Sequence, residues 1–139
     1  MANSESTVAQ QIAHAALAFE QQQTGHVPKS ISVVLSEETL VITLHGALSP
    51  AEQALAASPA GAAKLREFHR QLFANGSHSL REEIRRITGV EVREAVAEVE
   101  PATGTVVKVF TTGTKVQVFL LAQRVPADSW GGNGSDGPS

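Results

Sequence analysis

Leu44-His45-Gly46-Ala47-Leu48-Ser49-Pro50-Ala51-Glu52 is the stretch that decides the fold. Ser49 can accept a hydrogen bond from the backbone N–H of Glu52, and the Glu52 carboxylate can reach back to the N–H of Ser49. Pro50 falls at the first helical position, where its missing N–H costs nothing. A strand should therefore end near His45 and a helix begin after Ser49.

Upstream of the turn the pattern has period two. Ile31, Val33 and Leu35 alternate with Ser30, Ser32 and Val34, and Leu40, Ile42 and Leu44 alternate with Val41, Thr43 and His45. With Ser36-Glu37-Glu38-Thr39 as a polar tip, this predicts a hairpin with one covered face. Further upstream, Val8, Ile12, Ala15, Ala16 and Phe19 recur at helical spacing, which predicts a first helix over residues 5–23. Ser4 or Ser6 is its expected cap, and Gly25 its expected left-handed stop.

Downstream, residues 49–57 read as a short helix. Ser58-Pro59 repeats the cap-plus-proline device and opens a long helix that stops at Gly89. Its expected apolar stripe is Leu65, Phe68, Leu72, Leu80, Ile84 and Ile87. Gly76 falls where the stripe calls for a large residue. The phase is unchanged across Asn75-Gly76-Ser77, so one continuous helix is expected; a kink at Gly76 is the alternative. A helix of roughly 27 residues is about 40 Å long. That is long for a domain with a radius of gyration near ~14 Å. The long stripe and the amphipathic first helix together lead us to expect a homodimer. Strands are expected over 90–99, 105–111 and 115–123. From residue 126 the chain is too rich in Gly, Ser and Asp to build a core, and this tail is expected to be disordered.

The fold class that follows is α+β. It is a two-layer sandwich with a mostly antiparallel sheet of about five strands, and the N-terminal helix and one long helix lie on one face. Residues 1–24 form an amphipathic helix belonging to the domain, 25–125 its α+β body and 126–139 the tail.

Composition removes several classes of function. The chain has 139 residues and no cysteine, so disulfides and thiolate zinc sites are out. The formal charge of -3 gives no electrostatic case for nucleic acid or an anionic membrane. No stretch approaches the roughly 20 apolar residues of a membrane span, so no direct insertion is expected. The first residues lack a basic start and an apolar block, unlike a signal peptide, and a cytoplasmic protein is expected. Tyrosine is absent, and the only aspartates, Asp128 and Asp136, lie in the tail.

The histidines His14, His26, His45, His69 and His78 form no i, i+4 pair, so no metal and no cofactor is expected. Thr111-Thr112-Gly113-Thr114 lacks the spacing of a P-loop. Glu94 and Glu98 share a strand face expected to see water. One constellation stands out. His45 and Gly46 lie where a strand hands over to a helix, and free N–H groups at helix starts favour anions. Ser49, Glu52, Arg66, His69 and Arg70 could complete an anion or partner site. The competing reading is that Ser49 and Glu52 satisfy those donors themselves as a capping box.

Several segments resemble the MpsC family, a small-domain family named for a sodium-translocating, membrane-potential-generating system. They are Gly25-His26-Val27-Pro28, the 44–52 turn, residues 66–73, Ile87-Thr88-Gly89 and Val116-Gln117-Val118-Phe119. Together they span about residues 25 to 121. The family pattern has two strands after the long helix, the last ending in Val-x-Val-Phe. This chain carries that motif twice, at Val107–Phe110 and Val116–Phe119, and so an extra strand is expected. The resemblance implies a non-enzymatic accessory or regulatory protein that docks a membrane transport partner, linked to inorganic-carbon uptake or membrane potential. It carries over no catalytic residue. A small-anion sensor for bicarbonate or phosphate, using the 45–52 turn, is the alternative function.

Overall fold

A computed structural model of the chain describes residues 7–112. The order is α1 (Val8–Thr24), β1 (Ser30–Ser36), β2 (Thr39–His45), α2 (Pro50–Leu55), α3 (Pro59–Thr88), β3 (Glu94–Glu100) and β4 (Thr105–Thr111). The strands form an antiparallel sheet in the order β1-β2-β4-β3. The fold is α+β, as the pattern predicts. Four strands are described rather than five; the fifth, at 115–123, and the tail lie outside the described residues.

Each helix boundary has a local cause. Thr7, rather than Ser4 or Ser6, caps α1, exchanging bonds with Gln10 in a capping box. Gly25 ends α1 and Gly89 ends α3, both left-handed, where a glycine avoids the Cβ clash. α3 runs unbroken for 30 residues, about 45 Å. Gly76 does not kink it. A Cβ there would sit 2.5 Å from the Gln23 side-chain amide, the flexible end of an α1 residue that packs over this glycine.

Period two sorts the strand residues onto two faces. Registered rows such as Val33–Ile42–Lys108–Ala97 face the helices. Against them pack Ile12, Ala16 and Phe19 of α1 and Leu65, Phe73, Leu80 and Ile84 of α3. Each fully buried Leu or Ile contributes about 1.5–3 kcal/mol. The opposite face carries Glu94 and Glu98 on β3, both exposed as expected.

The stripe of α3 needs correcting. Its buried row is Gly61, Leu65, His69, Phe73, Ser77, Leu80 and Ile84. Phe68 is 51% exposed. The row advances mostly in steps of four, which carries it from Leu65 to His69 and Phe73 and past Phe68 and Leu72. A count of apolar letters cannot see this, because the pivotal residue is a histidine. The stripe is covered by the chain's own α1 and sheet, so α3 needs no second subunit.

Candidate functional site

The strand-to-helix turn folds as its letters require. Ser49 Oγ accepts from the Glu52 N–H at 3.2 Å, and Glu52 Oε1 accepts from the Ser49 N–H at 2.9 Å. The second carboxylate oxygen, Oε2, lies 2.9 Å from His69 Nε2. A carboxylate only accepts, so Nε2 carries the proton and donates. Burial would raise the Glu52 pKa, but the Ser49 N–H and His69 outweigh it and hold the carboxyl below the ordinary glutamate range. The turn is thus a three-residue lock joining α2 to the buried face of α3.

The neighbouring residues brace it. Gly46 has φ +62, a conformation L side chains rarely adopt, and the Lys29 side chain lies 2.7 Å from where a Cβ would be. His26 Nε2 donates to the Gly46 carbonyl at 3.1 Å. The Ala47 N–H donates to Gly104 O at 2.8 Å, tying the turn to the β3–β4 hairpin.

Of the seven residues the sequence singles out, the structure brings three together: Ser49, Glu52 and His69. Gly46 contributes its carbonyl to His26. His45 is exposed, and its carbonyl accepts from the Lys29 N–H at 2.8 Å. Arg66 is exposed and stands apart. Arg70 turns away to Glu67 at 2.9 Å and Glu98 at 3.2 Å. Its pKa is raised, chiefly by the hydrogen bond to Glu98.

A second polar centre lies deeper. Lys108 Nζ is 2.7 Å from Glu20 Oε1, with side chains only 2% and 4% exposed. The ammonium also sits 4.4 Å from the Phe19 ring centroid and 5.5 Å from that of Phe73, so its remaining surface meets π-faces. Burial pushes the Lys108 pKa down, and Glu20 opposes this in part. Sequence reasoning missed this pair, although a signal existed. Glu20 extends the apolar Ile12, Ala16, Phe19 face of α1, and Lys108 shares its face of β4 with Val106 and Phe110. A lone charge on each of two buried faces implies that the two meet.

The cavity between His69, Glu20 and Lys108 measures about 10 Å³, room for about one water and no ligand. No buried side-chain N or O among the described residues lacks a hydrogen bond. No group of three His, Cys, Asp or Glu among them is placed to hold a metal ion, and no helix among them is long and apolar enough to cross a membrane.

Helices layered on one face of the four described strands, with the ionisable groups of the core paired to each other, make a small α+β domain. The chain belongs to the MpsC family: the model described as Na+-translocating membrane potential-generating system (MpsC) matches residues 4–119. It is also similar to the uncharacterized protein YbcI of Bacillus subtilis (strain 168). The two are 24% identical over 110 residues, covering 79% of this chain and 89% of YbcI. No solved structure matches the chain.

Proposed function

We propose that this chain is a non-enzymatic accessory protein. It acts on the cytoplasmic side of a membrane by docking a protein component of a membrane-potential or inorganic-carbon transport system. The family's description, a Na+-translocating membrane potential-generating system, supports the membrane-potential side of this reading.

The observation that carries the docking role is a pair of exposed valines at the two edges of the sheet's helix-free face, the ends of one registered row. Val34, Val41, Val109 and Val96 stand opposite one another across β1, β2, β4 and β3. Val34 and Val96, at the two ends of the row, are more than half exposed. Val109, within the row, is only 2% exposed, so the apolar surface left for a partner lies at the two edges, where Val34 and Val96 suit a protein surface better than water. Three of the groups considered for an anion site are engaged within the fold. Ser49 and Glu52 satisfy each other's N–H groups, and Arg70 is committed to two glutamates.

The test is cross-linking in native cells with the full chain and with Val96→Arg, whose site is open to solvent. The wild type should capture a membrane-embedded transport component, and the variant should capture several-fold less while keeping its fold by circular dichroism. Recovery of no membrane component by the wild type would overturn the reading.

A further inference from the structure

β1 is an edge strand among the described residues, and it lacks the usual protection. Ser30-Ile31-Ser32-Val33-Val34-Leu35-Ser36 contains no charge, no proline and no glycine. Natural sheets blunt a free edge with such residues, because its open N–H and C=O groups recruit another strand. The other described edge, β3, carries Glu94, Glu98 and Glu100, which repel a like strand. On β1, the helix-facing residues Ile31 and Val33 are partly buried, and Leu35 is 65% exposed.

We infer that a second copy of this chain pairs with β1, antiparallel, about a two-fold axis at Val33. The argument is self-complementarity, which a two-fold interface requires. This register sets Val33 against itself and Ile31 against Leu35 of the second copy, so apolar side chains meet on the helix-covered face. Ser30 meets Ser36, and Ser32 meets Val34. One step beyond each end, Lys29 meets Glu37. Neither Lys29 nor Glu37 has an ion-pair partner within its own chain among the described residues.

The surroundings of Glu37 fit the same pairing. An apolar cleft of about 350 Å³ opens beside the hairpin tip, bordered by Leu35 and Val90. Its described lining includes Glu37, Glu38 and Glu91 and no basic residue; Glu91 is paired with Arg85 at 2.6 Å. Lys29 of the second copy brings a cation to Glu37 at this rim. The result is one continuous sheet joining the four described strands of each copy, with both helical layers on the same side.

Charge exchange on the full-length chain tests the register, read by sedimentation equilibrium. Lys29 and Glu37 are both exposed, so the swaps leave the core intact. Lys29→Glu alone, or Glu37→Lys alone, places like charges together at two symmetric sites and should weaken the dimer by roughly tenfold. The double variant Lys29→Glu/Glu37→Lys restores opposite charges and should recover most of the affinity. A wild-type chain that stays monomeric at every concentration would overturn the inference. So would a dimer insensitive to the single swaps, or one weakened by them and not rescued by the double swap.

Discussion

Lys108 on β4 and Glu20 on α1 meet at 2.7 Å with almost no solvent contact, and this single pair ties the first helix to the centre of the sheet. Removing one partner leaves a buried charge without compensation. Glu20→Gln or Lys108→Met should each destabilise the chain by about 3–5 kcal/mol in urea unfolding. The double variant Glu20→Leu/Lys108→Met should regain most of that loss, because an apolar pair of similar volume needs no desolvation. A double variant as unstable as the two singles summed would show that the pair is not a unit.

The Glu52 lock predicts an acid limb. With its pKa held low in the folded state, the unfolded chain binds the proton more readily, so stability rises with pH across that interval. The contribution is present above the ordinary glutamate range, about 4.3, and fades as pH falls through the lower folded value. Chemical unfolding measured across this range should show a shallower acid loss for Glu52→Gln than for the wild type. Ser49→Ala should cost about 1 kcal/mol through the lost cap.

Two glycines of α3 should respond to alanine with opposite signs. At Gly76 the new methyl meets only the mobile amide end of Gln23, which can move aside. Alanine in a helix interior is favoured over glycine by about 0.8–1.0 kcal/mol, so Gly76→Ala should be neutral or stabilising. At Gly61 the methyl would lie 1.9 Å from the Leu55 carbonyl oxygen. That backbone cannot yield cheaply, and Gly61→Ala should lose about 1–3 kcal/mol or more. Thermal unfolding of the two variants decides the point.

The corrected stripe of α3 is tested by a pair of phenylalanines. Phe73 packs edge-on against Phe19 and Phe110 in the core, and Phe68 is half in water. Phe73→Ala should cost about 3–5 kcal/mol. Phe68→Ala should stay within about 0.5 kcal/mol. Equal losses would return the stripe to the register that apolar letters alone suggest.

These comparisons show which parts of the molecule were legible in the sequence. Caps and breaks were legible because they are local: Ser49-Pro50-Ala51-Glu52, Ser58-Pro59, Gly25 and Gly89 each act within a few residues. The hairpin was legible because its alternation is clean. On α3, Leu65, Leu80 and Ile84 were legible as buried, but Phe68 stood in for Phe73 because the buried row passes through His69, whose partner Glu52 is seventeen positions away. The Glu20–Lys108 pair is 88 positions apart, and its signal, one charge on each of two buried faces, shows only when distant elements are read together. Of the candidate site, the Ser49–Glu52–His69 core was in view, but whether it served an anion or the fold depended on where its donors pointed.

The central claim is that this chain works by docking, with the polar residues of the 45–52 turn committed to structure. Thermal unfolding of the full chain against bicarbonate, phosphate and other small anions tests it most directly. The account predicts no shift in midpoint for any of them. A saturable rise of several degrees with one anion, abolished in Arg70→Ala, would mean that the turn binds ligand and would contradict the account.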